Sequence, residues 1–144
     1  MFNHILVPTD GSELSDKAVA AAIELARATG AKITGYACIE PYPYAPMSEF
    51  VIDTADLFDE RAQAAADAAL AKLAAAATAA GIPCATDASR ADAPYVGIID
   101  AASRLGCDLI LMSSHGRKGL AGVLLGSETQ KVLTHSSVPV LVYR

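Results

Sequence analysis

The sequence has no tryptophan, three cysteines and only 6% aromatic residues. Cys38, Cys84 and Cys107 are odd in number and far apart, so they encode neither a disulfide framework nor a closely spaced metal or redox pair. Small buried thiols in a reducing cytosol are the natural expectation. Positive charge is scarce as well, with 11 Lys and Arg against 16 Asp and Glu, a formal charge of −5. A duplex-binding domain normally carries a basic face, and this balance argues against nucleic acid as a partner. No uncharged apolar run reaches the ~18 residues that a bilayer span needs. The longest quiet stretch, from Leu73 to Thr86, is broken by Gly81 and Pro83. The start, Met1-Phe2-Asn3-His4, has neither the basic segment nor the cleavage site of an export signal, so a cytoplasmic location is expected.

What is present is a hydrophobic, lightly charged chain of 144 residues, 53% apolar and 19% charged. That length predicts one domain over 1–144 that buries roughly two-thirds of its unfolded surface. Short apolar runs alternate with helical patterns. Ile5-Leu6-Val7 leads into the turn and cap residues Pro8-Thr9-Asp10-Gly11-Ser12, after which Leu14, Ala18, Ala21, Ala22 and Leu25 recur at helical spacing until Gly30. Ile33 to Ile39 reads as a second strand. Pro41, Pro43 and Pro46 break up the loop that follows. An alanine-rich helix is predicted over Val51 to Ala80, with Phe58, Ala62, Ala66, Leu70, Leu73 and Ala77 facing inward. Cys84 to Ala88 is a polar strand suited to a sheet edge. Asp92 as N-cap and Pro94 at N1 begin a third helix that Gly106 closes. Leu109 to Met112 and Val138 to Tyr143 are the last two strands, with a glycine-rich loop and a short helix between them.

Five strands joined by helical crossovers imply α/β architecture: a three-layer, doubly wound, five-stranded parallel sheet, Rossmann-like, in the order 3-2-1-4-5. The continuous apolar runs suit strands covered on both faces. In such sheets ligands sit beyond the carboxyl ends of the strands, where the order reverses, here after strands one and four. Strand four delivers Ser113-Ser114-His115-Gly116-Arg117-Lys118-Gly119, and Gly122 and Gly126 follow. Bare glycine backbone can bring N–H groups close to an anion, and Ser127-Glu128-Thr129-Gln130 has the pattern of a capping box at a helix start. Phosphate binds readily at such a terminus. The loop composition alone fits a structural turn as well as a phosphate site. Neither a P-loop nor a Gly-x-Gly-x-x-Gly occurs.

Asp10 reads as an N-cap or turn residue, or as an acceptor for a ribose hydroxyl or an indirect metal ligand, and the two kinds of role are compatible if Ser12 does the capping. His115 can contact phosphate or simply be solvated, while His4 and His135 pair with nothing recognisable. Tyr42 and Tyr44, interleaved with prolines near the same crevice, suit either a stiff surface loop with partly buried rings or the lining of a base pocket or partner surface. No Ser–His–Asp, Cys–His or paired-carboxylate constellation can be placed, so catalytic machinery is thin.

Three segments together resemble the universal stress protein family over essentially the whole chain. They are Ile5 to Ser12, Leu109 to Ser127, and Ser137-Val138-Pro139-Val140-Leu141-Val142-Tyr143-Arg144. The family's nucleotide motif is glycine, two residues, glycine, nine residues, glycine and Ser or Thr. Here Gly116, Gly126 and Ser127 match, and Ser113 stands where the first glycine would be. A serine there is placed either to hydrogen-bond the ribose or to crowd it.

The resemblance implies that the chain binds ATP, or ADP or AMP, with Mg²⁺ carried by the phosphates and no metal ligand of its own. It places Asp10 at the ribose or metal end, with Pro8 and Thr9 shaping the pocket. Ala37 falls at the adenine ring, with Met112 and Ser113 at the end of strand four, and Gly116, Gly126 and Ser127 on the phosphates, bordered by His115 and Arg117. It also implies a two-fold homodimer through strand 138–143 and a sensor or regulator in a stress response rather than a dedicated catalyst. The alternatives are a slow ATPase or phosphotransferase, for which only Asp10 and His115 are candidates, and a partner-binding stress protein without nucleotide. A receiver-like phosphoacceptor domain lacks its acidic cluster and its lysine.

Overall fold

A computed structural model describes residues 1–42, 54–116 and 124–144. In chain order the elements are β1 (His4–Pro8), α1 (Glu13–Thr29), β2 (Lys32–Ile39), α2 (Ala55–Ala79), β3 (Cys84–Arg90), α3 (Pro94–Arg104), β4 (Leu109–Ser113), α4 (Ser127–His135) and β5 (Val140–Tyr143). The five strands are all parallel, in the order β3-β2-β1-β4-β5. The expected order reversal therefore lies between β1 and β4, and the residues that follow these two strands share one crevice.

Alternation along the strands sorts the core into two layers. Ile5 and Val7 of β1, Ile33 of β2, and Leu109 and Leu111 of β4 face Ala18, Val19, Ala22 and Ile23 of α1 and Leu73 and Ala77 of α2. Leu6, Tyr36, Ile110 and Met112 face the opposite way, onto Ile98, Ala101 and Ala102 of α3 and Val132 of α4. Both faces of β1 and β4 are thus covered, which is why these strands read as unbroken apolar runs. Gly35 lets α2 come close to β2, because a Cβ there would stand 2.7 Å from Leu73 Cδ2. The polar strand β3 lies at one edge as expected and runs two residues further than the pattern foretold, to Arg90.

Three local expectations need correction. The long helix starts at Ala55 behind the N-cap Thr54, whose hydroxyl accepts from Leu57 N at 3.2 Å. Residues 51–53 lie outside the described residues. Asp92 does not cap α3. The N-cap is Ala93, without a side-chain hydrogen bond, although Pro94 does occupy the first turn. The capping box at α4 does not form either: Gly126 is the N-cap, Ser127 is already helical, and Gln130 donates to Leu125 O at 3.2 Å. At both helices a residue without a polar side chain occupies the cap, one position away from the polar residue that the pattern favours, and at α3 the first-turn N–H of Tyr95 is met instead by the distant Glu128 carboxylate at 2.8 Å.

Candidate functional site

The turn after β1 is built around one carboxylate. Asp10 Oδ1 accepts the Ser12 backbone N–H and the Ser15 hydroxyl, each at 2.9 Å. Ser12 is the N-cap of α1, its hydroxyl accepting from Ser15 N at 3.3 Å. Capping thus falls to Ser12, and Asp10 braces the turn while its carboxylate reaches the crevice. Thr9, almost fully buried, anchors the segment to the sheet by donating its amide to Tyr36 O at 2.8 Å. From α2, Lys72 Nζ ties the same turn down, donating to Gly11 O at 3.2 Å and Asp16 Oδ2 at 2.8 Å.

Across the crevice, β4 ends in Ser113 and Ser114 follows it, both buried. The Ser113 hydroxyl donates to His115 O at 2.7 Å, so it is turned onto its own loop. Thr129 of α4 donates to Ser113 O and Ser114 O, each at 3.1 Å, and Gly126 N donates to Ser114 O at 2.7 Å. These bonds bring the start of α4 against the end of β4. A Cβ on Gly126 would meet Ser114 O at 3.2 Å, and a Cβ on Gly116 would stand 2.8 Å from Asp10 Oδ2. The two glycines are therefore places where backbone must pass close to other groups. His115 Nδ1 lies 3.0 Å from Ser114 Oγ, while its Nε2 is buried with no hydrogen-bond partner among the described residues.

Between the turn and the loop lies a cavity of about 870 Å³. Pro8, Thr9, Asp10 and Ala37 line one side of it, and Met112, Ser113, His115, Gly116, Gly126 and Ser127 the other. The structure thus brings together every expected site residue that it describes. Arg117, with Lys118, lies outside the described residues, as does Tyr44. Tyr42 makes an edge-to-face contact with Phe58, their ring centroids 5.4 Å apart, and Phe58 also lines the cavity.

Several lining residues were not foreseen. Ala62, Ala66 and Ala69 of α2 form a low wall beside Ala37 and Ile39, and Arg61 and Glu40 stand near it. Cys38 also faces the space; burial pushes its thiol pKa up and keeps it a neutral, weakly polar wall. Helical spacing marks the alanines as inward-facing, but it does not reveal that part of the space opposite them is empty.

The two ends of the cavity differ in chemistry. The first turn of α4 offers backbone N–H groups and the positive end of a helix, with no side-chain cap competing for them. Asp10 offers carboxylate oxygens suited to hydroxyl donors. Among the described residues no group of three or more His, Cys, Asp or Glu could hold a metal ion. Among them too, no helix is long and apolar enough to cross a membrane.

Comparison with known proteins agrees with this layout. The sequence model of the universal stress protein family matches residues 1–144. A universal stress protein of Thermus aquaticus is 31% identical over 144 residues, covering 100% of each chain. The solved structure of the universal stress protein UspA of Lactobacillus plantarum is similar with a TM-score of 0.81 and 28% identity, over 99% of this chain and 98% of that one. A crystal structure of a universal stress protein in complex with cAMP matches with a TM-score of 0.73 and 26% identity, over 99% and 97% of the two chains.

Proposed function

The chain belongs to the universal stress protein family, and from that premise we propose that it binds an adenine nucleotide, ATP foremost, and works as a stress-response sensor or regulator. One observation carries this reading: a cavity of about 870 Å³ at the carboxyl ends of β1 and β4, lined by all ten of the described residues expected at a nucleotide. That volume falls within the range of small-molecule sites, about 300–1,000 Å³. The cAMP complex of a relative supports the choice of adenine nucleotides as the ligand class.

In this reading the ribose meets Asp10, beside Pro8 and Thr9. The base lies against Ala37 and Met112. The phosphates approach the backbone at Gly116, Gly126 and Ser127, with His115 and Arg117 at their border and Mg²⁺ held by the phosphates themselves. In support of this placement, the Ser113 hydroxyl is turned onto its own loop, donating to His115 O. Residues 1–144 act as one such domain, in the cytoplasm, as a homodimer joined through the C-terminal segment 138–143, whose strand β5 begins at Val140 and not at Val138 as the apolar run suggested. In favour of the dimer, β5 is an edge strand with Leu141 37% and Tyr143 40% exposed.

Calorimetric titration with ATP, ADP, AMP and cAMP, each with Mg²⁺, tests the proposal. Saturable heat with at least one of them is expected, largest for ATP. Absence of saturable binding to all four at millimolar concentration overturns it.

A further inference from the structure

One buried side chain bonds both the main chain and the carboxylate of Asp10. Ser15 lies in the first turn of α1 and is 3% exposed. Its hydroxyl accepts the Asp10 backbone N–H at 3.2 Å and donates to Asp10 Oδ1 at 2.9 Å. One hydroxyl thus closes a ring on both the main chain and the side chain of the same residue. Oδ1 takes a second bond from Ser12 N at 2.9 Å, which leaves Oδ1 committed to the protein. Oδ2 is the oxygen directed towards Gly116 across the crevice. A helix cap alone would need none of this, because Ser12 already caps α1.

We propose that Ser15 is the positioning residue that orients the Asp10 carboxylate, and so gives the site its selectivity for ligands with an intact ribose diol. This rests on the nucleotide reading above and goes beyond it by assigning the ribose preference to a residue that does not itself touch ribose. The physical basis is preorganisation. A carboxylate already held in its accepting orientation loses no rotamer freedom when a hydroxyl arrives, whereas a loose one does. Without the Ser15 hydroxyl, Oδ1 loses one of its bonds and the main chain of Asp10 loses its tie to the same hydroxyl, so the carboxylate is held less firmly in the orientation that turns its second oxygen to the crevice.

The test compares ATP with 2′,3′-dideoxy-ATP, each with Mg²⁺, on wild type, Ser15→Ala, Asp10→Asn and the double variant, with thermal melts as a check on folding. Wild type is expected to prefer ATP. Ser15→Ala should weaken ATP by about tenfold and leave the dideoxy nucleotide unchanged within about twofold. In the Asp10→Asn background, Ser15→Ala should have no further effect on ATP. If Ser15→Ala does not fold, Ser15→Cys, nearly isosteric and a poor hydrogen bonder, is read in the same way. An equal loss for both nucleotides, no loss for either, or an undiminished effect in the Asp10→Asn background overturns the role of Ser15 while leaving nucleotide binding standing. Failure of wild type to bind ATP overturns the nucleotide reading itself, and this assignment with it.

Discussion

The carboxylate of Glu128 accepts the backbone N–H of Tyr95 at 2.8 Å, so a residue of α4 caps the start of α3. The helix has no side-chain cap of its own, and exposed Asp92 stands by unused. Lys131 supports the arrangement, 3.7 Å from the other Glu128 oxygen and 5.3 Å from the centre of the Tyr95 ring. One carboxylate thereby joins the two helices on this face of the sheet and holds α4 where its first turn meets the cavity.

Removing this cap has a measurable cost. Glu128→Ala should destabilise the protein by about 1 kcal/mol, as loss of an N-cap does, lowering Tm by about 3 °C in a chain of this size. Glu128→Gln keeps a carbonyl acceptor and should lose less. Asp92→Ala should stay within about 0.5 kcal/mol of wild type. Thermal melts without nucleotide keep the comparison free of ligand effects, since Glu128 also lines the cavity. Identical melts for Glu128→Ala and wild type would mean that the bond contributes nothing.

This cap also marks the boundary of what a sequence reveals. Strand order and helix positions were legible because runs such as Ile5-Leu6-Val7 and the stripe of α2 are local patterns tied to burial. Ten of the cavity's lining residues were legible because they cluster in a few short segments that a doubly wound sheet must bring together. Glu128 and Tyr95 are 33 positions apart, and their contact exists only once α3 and α4 pack side by side on one face of the sheet. The alanine wall escaped notice for another reason: periodicity says which way a side chain faces, not whether anything fills the space before it. Strand five shows the same limit. Val138 to Tyr143 reads as apolar throughout, yet Val140 packs on the core while Leu141 and Tyr143 are exposed.

A second prediction concerns the fully buried Tyr36. Its hydroxyl lies 2.7 Å from Ser89 Oγ, and a Cβ on Gly97 would stand 2.1 Å from that oxygen. No rotamer of alanine avoids the overlap, so α3 or the ring must move. Gly97→Ala should cost about 2–3 kcal/mol, an overpacking penalty in a tight core, measured by urea titration. Tyr36→Phe in the same chain should recover part of the loss by removing the oxygen. Additive effects of the two substitutions would show that the contact is not the cause.

The same phenol sets an alkaline limit. Burial pushes Tyr36 up to about 12 from an ordinary 10.0. An unfolded chain releases this proton near pH 10, whereas the native chain holds it to about 12. The contribution is therefore complete below pH 10 and is lost as pH rises from 10 towards 12, by about 2–3 kcal/mol in all. Cys107, pushed up to about 11 by burial, adds a slope of its own, so the quantity to read is the difference between wild type and Tyr36→Phe. That difference should shrink steadily above pH 10; a constant difference refutes the shift.

The dimer proposal yields a fourth prediction, at the sheet edge. β5 pairs with β4 on one side, and its exposed side chains are Leu141 and Tyr143. Leu141→Lys with Tyr143→Lys places two cations on that edge without touching the core, and like charges would face one another across a two-fold axis. Sedimentation should shift from dimer to monomer with the melting transition preserved. Val140→Lys is a poorer probe, because Val140 packs against the cluster containing Leu6 and Ile110 and the variant would unfold for unrelated reasons. An unchanged sedimentation profile for the double variant rules out pairing through this strand.

The two motif glycines should separate under substitution. At Gly116 the obstacle to a Cβ is Asp10 Oδ2, the far end of a side chain 2.8 Å away. The carboxylate can swing aside only by disturbing the bonds that Oδ1 makes with Ser12 and Ser15. Gly116→Ala should therefore lower ATP affinity about tenfold while costing less than about 1 kcal/mol of stability, the scale of one weakened hydrogen bond. At Gly126 the obstacles are backbone, Ser114 O at 3.2 Å and His115 Cα at 3.4 Å, and the residue is also the N-cap of α4. There alanine must shift main chain and is a poor cap, so Gly126→Ala should lose stability as well as affinity, by about 1 kcal/mol or more. Calorimetry and melts on the two variants measure both quantities. If Gly116→Ala binds ATP as wild type does, Asp10 does not meet the nucleotide, and the ribose must lie elsewhere in the cavity.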